Sequence, residues 1–304
     1  MDHPYIAIVK DLTGKRKNTA IDVFKYDEIT KLYVYIRSFN VVCKESFRPV
    51  IVGEQLYVIT IDIDGLYMFE LLKRCAPKYK PLQEPTALNV HKDSIYIGNC
   101  DGRIFSTIKD DYLDIDLGSQ IFVLDNYKDL IAAATKSKVF LFDQLTGEIK
   151  NICSFETRFV CTSIQLMNEN FIVHGLRSRT LTSSTTFFSF VKEEQSLEYS
   201  FIEAPVGSDA FLANGNELLL ITSEATGLII RDIVDEHKVV WSIDANVGEF
   251  FIILSSFNSR QIVCTIANKD AKLLVVICRN TKKIQLIHTY KYKSVVSYTK
   301  PTST

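Results

Sequence analysis

The side chains able to do chemistry are scattered along the chain. The five histidines, His3, His91, His174, His237 and His288, sit in unrelated settings, with no HExxH or HxH spacing to bring two imidazoles to one metal ion. A metal centre would need ligands from distant segments, and none is expected. The seven cysteines, Cys43, Cys75, Cys100, Cys153, Cys161, Cys264 and Cys278, are odd in number and form no CxxC pair, which argues against a disulfide framework and a zinc ribbon. Several fall inside apolar runs and read as buried, reduced thiols. No GxSxG elbow presents a serine nucleophile, and no GxxxxGK[ST] loop cradles a phosphate. Ile61-Asp62-Ile63-Asp64-Gly65 lacks the downstream bidentate glutamate of a calcium loop, so Asp62 and Asp64 read as turn residues, Asp64 shaping a hairpin with Gly65. No catalytic residue, cofactor-binding residue or metal ligand is therefore assigned, no cofactor is expected, and the protein is read as a non-enzyme.

The elements that would position any site are strands. The 304 residues are 47% hydrophobic, rich in Phe, Tyr, Ile and Val and poor in Gly and Pro, a composition that buries a full core and excludes disorder or a low-complexity chain. Apolar alternation breaks into short segments that group in fours about every 40 residues, the spacing of repeated four-stranded sheets, while helical periodicity is nearly absent. One group runs Pro85 to Val90, Ser94 to Asn99, Arg103 to Ile108 and Tyr112 to Leu117, with Asp101-Gly102 as the turn between its second and third strands. Asp64-Gly65, Lys136-Ser137 and Thr226-Gly227 mark the same turn in three other groups. A fifth keeps four strands around a polar insertion from about Arg177 to Thr185, and a seventh follows the sixth without a linker.

The first residues supply only three strands, whereas one strand, about Ser294 to Tyr298, is left over at the other end. Added to the first group, it completes seven sheets of four strands. The expectation is an all-β, seven-bladed β-propeller of four-stranded antiparallel blades, a single domain over residues 1–304, closed by this C-terminal strand. A large β-sandwich is the alternative, against which the even fourfold grouping argues.

The segment "IYIGNCDGRIF" resembles the second strand, Asp-Gly turn and third strand of WD40-type repeats. In "GLIIRDI", Arg231-Asp232 stands where Trp-Asp is usual, and in "KVFLFDQLTGEI", Phe142-Asp143 does, with Thr146-Gly147 following as the usual turn. The chain thus resembles a degenerate WD40-type β-propeller over essentially its whole length. Trp241, the only tryptophan, lies in a fourth strand, and no Gly-His pair supplies the family's hydrogen-bonding histidine. The blades are then held mainly by packing, at about 25 cal/mol per Å² of apolar area buried. The FRRG motif of phosphoinositide-binding propellers is missing; "FETRF" offers Arg158 alone. Neither Phe142-Asp143 nor Arg231-Asp232 continues to the arginine typical of ubiquitin-ligase adaptors.

Charge is unevenly spread. From Val247 onward there are nine Lys or Arg against two acidic residues, and residues 1–85 carry thirteen against eleven, so the remainder is near −10 in a chain of net charge −1. In a closed ring these two basic stretches would be neighbours. Lys15, Arg16 and Lys17 fall in a hairpin and Lys291 and Lys293 in the connection to the last strand, on one expected face. Lys73, Arg74, Lys78, Lys80, Lys282 and Lys283 fall between third and fourth strands, on the other. Ordinary solvated lysines are one reading, and a docking surface for an acidic protein segment or RNA phosphate is the other. Tyr290, Tyr292 and Tyr298 read either as stacking residues or as strand packing.

The candidate contact residues are Lys15, Arg16 and Lys17, Arg177 and Arg179 of the polar insertion, and Lys291 and Lys293. The leading functional reading is a protein–protein interaction scaffold, monomeric within a larger hetero-complex, that holds protein subunits or acidic peptide segments. The alternative is an accessory subunit positioning RNA for a modifying or processing enzyme, and a third reading is an enzyme with a site at the channel mouth. With no secretory signal and no apolar run long enough to span a bilayer, a cytoplasmic or nuclear protein without membrane insertion is expected.

Overall fold

The computed structural model describes residues 5–10, 18–42, 49–60, 64–91, 94–127, 130–136, 138–143, 160–167, 170–177, 182–191, 196–204, 209–213, 217–224, 227–232, 238–244, 251–257, 261–267, 272–278, 281–288 and 292–297. Every regular element among them is a strand, and all the strand pairings are antiparallel. β1 (Tyr5–Lys10), β2 (Asn18–Asp27) and β3 (Leu32–Val42) form the first sheet with β27 (Tyr292–Ser297), in the order β27-β1-β2-β3. The second is β4 (Val50–Val52), β5 (Gln55–Thr60), β6 (Gly65–Glu70) and β7 (Lys78–Pro81), and the third β8 (Pro85–His91), β9 (Ser94–Asn99), β10 (Arg103–Ser106) and β11 (Asp111–Asp116). β12 (Val123–Tyr127), β13 (Leu130–Ala134) and β14 (Val139–Asp143) make a three-stranded sheet; the fourth strand expected there and the Thr146-Gly147 turn lie outside the described residues.

The fifth sheet is β15 (Val160–Met167), β16 (Asn170–Arg177), β17 (Thr182–Val191) and β18 (Ser196–Ala204), and the sixth is β19 (Asp209–Ala213), β20 (Glu217–Glu224), β21 (Gly227–Asp232) and β22 (Lys238–Asp244). β23 (Phe251–Phe257), β24 (Gln261–Ala267), β25 (Lys272–Cys278) and β26 (Ile284–His288) complete the set. By compactness the chain divides into two units, Met1–Ile95 with Ile253–Thr304, and Tyr96–Ile252.

The surplus strand pairs where expected. β27 runs antiparallel to β1, Ile6 opposite Ser297 and Val9 opposite Ser294, and it starts two residues earlier than the sequence suggested. Lys293 therefore lies in β27, not in the connection before it, at a register shift opposite Val9 and Lys10.

β1 explains the packing of the first unit. Its run Tyr5-Ile6-Ala7-Ile8-Val9 is buried on both faces, because successive residues of a strand point to opposite sides. Tyr5, Ala7 and Val9 join Ile21, Val23, Phe39 and Val41 of their own sheet against Ile51, Leu56, Val58 and Phe69 of the second. Ile6 and Ile8 join Phe24 and Tyr33 against Leu274 and Val276 of β25. Each fully buried Leu, Ile or Val contributes about 1.5–3 kcal/mol. In the second unit, Ala132, Ala134 and Leu141 pack against Ile164, Leu166 and Val173 of the neighbouring sheet. The Leu166 N–H donates to Asp125 Oδ2 at 2.7 Å across that same junction.

Two glycines are fixed by their surroundings. Gly102 has φ +94°, and a Cβ there would lie 2.9 Å from the backbone at Gly118 and Ser119, so the Asp101-Gly102 turn admits only glycine. In the other turn the left-handed residue is Asp64 (φ +31°), whose carbonyl accepts from the Leu82 N–H at 2.8 Å. Gly65 is already strand, and a Cβ on it would sit 2.2 Å from the Tyr79 ring.

Other expectations change. The polar insertion of the fifth sheet is smaller than expected: Thr182 to Thr185 belong to β17 and pair with His174 to Arg177, since Thr and Ser extend a strand readily. Lys78 and Lys80 lie inside β7 instead of the connection before it. Of the cysteines, Cys161 is buried, Cys100 and Cys278 are partly so, and Cys75 is exposed, because it sits in an irregular stretch between β6 and β7 and not in an apolar strand. Cys43 and Cys153 lie outside the described residues.

Candidate interaction surface

The compact division is also a division of charge. The unit Met1–Ile95 with Ile253–Thr304 holds 23 Lys and Arg against 13 Asp and Glu, a net of +10, while Tyr96–Ile252 holds 12 against 23, a net of −11. A chain of net charge −1 thus consists of two strongly and oppositely charged parts, each a source of field over its own surface.

Of the sequence-derived contact residues, Lys15, Arg16, Lys17, Arg179 and Lys291 lie outside the described residues. Arg177 ends β16 opposite Thr182, in the acidic unit, whereas Lys293 lies in β27 of the basic one. Within the first unit the structure gathers a set of basic residues along the outer strands of the first and second sheets.

Arg37 is the pivot of that set. Its guanidinium lies 4.5 Å from the centre of the Phe39 ring and donates through Nη1 to the Lys73 carbonyl at 2.7 Å, so it ties β3 to the segment following β6. Phe39 meets Phe69 at 4.9 Å, Phe69 stacks on Tyr67, and Tyr67 meets Tyr79 at 4.9 Å. The row of rings runs from a buried interior to Tyr79 at the surface, with Lys78 exposed beside it.

Lys73 Nζ reaches Glu70 Oε2 at 2.7 Å, and the two shift each other: the hydrogen bond and charge of Lys73 hold the Glu70 carboxyl below the ordinary range, and Glu70 holds the Lys73 ammonium above its own. Lys73 is exposed and Glu70 partly so, so the pair is screened by solvent and adds little to stability. Glu54, Gln55, Glu70, Leu72 and Lys73 line a shallow recess here. Its lining residues include no pairing of nucleophile and base.

The first sheet has a second polar cluster, inside it. Asp22, almost fully buried on β2, accepts from Ser38 Oγ of β3 and pairs with Lys10 of β1, and Ser38 in turn meets Tyr35 Oη at 3.1 Å. This cluster stitches three strands together from within, and its buried carboxylate is satisfied by a cation and a hydroxyl.

At the outer rim, the Gln285 side chain of β26 bonds both backbone groups of Tyr33. The Tyr33 N–H donates to Oε1 at 3.0 Å, and Nε2 donates to the Tyr33 carbonyl at 3.2 Å. Sequence reasoning passed over this contact and the β3 edge around it. Their trace in the sequence is Leu32-Tyr33-Val34-Tyr35-Ile36, too apolar for the half-solvated outer strand of a sheet.

Comparisons with known proteins bear on the fold alone. No family model matches the chain, and no curated protein matches it. Among solved structures, it is similar to a Lactobacillus plantarum protein at 12% identity and a TM-score of 0.62, covering 97% of this chain and 99% of the other. A Bacteroides fragilis protein provisionally named a 6-phosphogluconolactonase is similar at 12% identity and a TM-score of 0.59, covering 99% and 97%. Kluyveromyces lactis Hsv2, with its loop 6CD replaced by a Gly-Ser linker, is similar at 8% identity and a TM-score of 0.52, covering 90% and 95%. The fold is β-propeller-like, as its solved neighbours are.

Proposed function

We propose that the chain is a non-enzymatic interaction platform: a WD40-type ring of seven blades, a single domain, which β27 closes by completing the first blade. It acts in the cytoplasm or nucleus as one copy within a larger hetero-complex. The observation that carries this reading is the charge partition, +10 in one compact unit and −11 in the other. Two oppositely charged surfaces on a rigid scaffold steer two kinds of partner and limit wrong pairings. Sheets packed on both faces lose little freedom on binding, so short segments can be held usefully. Affinity purification of the full chain at two salt concentrations tests it. Stoichiometric protein partners that dissociate as salt rises are expected; a chain that purifies alone at low salt overturns the reading.

The positive unit also supports a second reading, an accessory subunit that positions RNA, because phosphate contacts release counterions and give steeply salt-dependent affinity. A gel-shift titration with RNA at two ionic strengths separates the two, with binding at low salt that collapses at high salt favouring RNA. The third reading, an enzyme, draws on the provisional name of the Bacteroides fragilis neighbour. Turnover of 6-phosphogluconolactone by the purified chain would support it, and none is expected.

A further inference from the structure

We propose that the outer edge of β3 takes an extended peptide of alternating acidic and apolar residues as a fifth strand of the β27-β1-β2-β3 sheet. This rests on the platform reading and names the partner chemistry of one of its surfaces.

β3 is an edge strand of eleven residues without proline, and no described strand lies on its outer side. Leu32, Val34 and Tyr35 are 47, 50 and 52% exposed, an apolar stretch that natural edge strands usually shorten, charge or interrupt. The backbone is already used in the way strand addition requires. Both the N–H and the C=O of Tyr33 point outward and are met by the Gln285 amide, so an added antiparallel strand makes this pair of bonds by taking the place of that side chain. By the two-residue period, Tyr35 presents the next outward N–H and C=O.

Charge selects the occupant. Lys25 is exposed and lies directly opposite Val34 on the same face, and Arg37 follows along β3, in a unit of net +10. On a strand added next to Val34, alternation puts the acidic side chains on the face that carries Lys25 and Arg37 and the apolar ones on the opposite face, beside the exposed ring of Tyr35. A second copy of the chain, pairing β3 to β3, would set +10 against +10.

Fluorescence polarisation with the full chain tests this, using dye-labelled eight-residue peptides that alternate Val with Glu or Val with Lys. The Val/Glu peptide should bind, more weakly as salt rises, and the Val/Lys peptide should not. Tyr35→Pro removes an outward N–H and should weaken Val/Glu binding about tenfold, the effect of one hydrogen bond. Val34→Glu, which keeps every backbone bond and faces Lys25, should weaken it by repulsion even if the proline variant fails to fold. Failure of the Val/Glu peptide to bind, or equal binding of both peptides, overturns the proposal. So does a dimer of the wild-type chain that Val34→Glu dissolves, which would give the edge to a second copy. If both variants bind as the wild type does, β3 is excluded while the platform reading stands, since that reading fails only when no protein partner is recovered.

Discussion

Two outer strands of the same unit, β3 and β7, answer one problem in opposite ways. Each ends its sheet, with no described strand paired on its outer side. β7 is four residues, Lys78-Tyr79-Lys80-Pro81: it is short, it carries two lysines, and its proline has no N–H to offer. The Tyr79 ring folds back over Gly65, which spends the strand's one large side chain on its own sheet. β3 has eleven residues and no proline, and it is bent by a register shift where Tyr35 and Arg37 oppose Phe24 and Val23, leaving Ile36 as the extra residue. One edge is guarded by its shortness, its lysines and its proline, and the other is met only by the Gln285 side chain at Tyr33, although both hang from one apolar interior. The difference teaches that β3's exposure is a local choice of residues and not a general looseness of the rim.

The largest test of that conclusion strikes the shared interior. Leu56 is fully buried where the first and second sheets meet, and Leu56→Ala should cost about 2–5 kcal/mol in chemical denaturation. Hydrogen exchange should accelerate in β3 and β7 together; acceleration in one alone would show that the two edges do not share a foundation. A smaller and one-sided effect is expected from Gly65→Val. Its new side chain collides with the Tyr79 ring, and about 1–3 kcal/mol should be lost, with β7 exchanging faster while β3 is unchanged. The smallest effect is electrostatic. In Lys73→Ala the Glu70 carboxyl should titrate at higher pH by NMR, because the cation that holds its pKa down is gone. A lowered carboxyl pKa stabilises the fold above the unfolded-state value, and that contribution disappears as pH falls through the folded value. On so exposed a pair the melting temperature should stay put, and a clear fall would mean that Lys73 anchors Arg37 through more than its carbonyl.

Much of this architecture could be read before any coordinates, because the signals were local. Asp101-Gly102 marks its turn since only glycine fits there, and the short run Ser94 to Asn99 just before it is a strand buried on both faces. The pairing of β27 with β1 followed from a shortage of one strand at one end and an excess of one at the other. What stayed hidden depends on neighbours. Thr182 to Thr185 look like loop until they are paired with β16, and the register shift at Ile36 depends on the partner strand. The bond from Gln285 to Tyr33 joins residues 252 apart, and a glutamine in a strand gives no sign of it. The contact residues chosen from charge fell mostly in connections outside the described residues, while the basic side chains with visible work, Arg37 and Lys73, lie in or next to strands. Charge counted along the sequence already places about +9 in the two terminal stretches and −10 between them, and the compact boundary moves these only to +10 and −11.

The antiparallel pairing of β27 with β1 has a consequence for biosynthesis. A ribosome releases β1 first and β27 only after nearly three hundred further residues, and contacts so distant in sequence are slow to form. Until then the Tyr5–Lys10 segment waits with one flank unzipped, and Ile6 and Ile8 lack the cover of Leu274 and Val276. That interval is when a holding chaperone would matter most to this polypeptide.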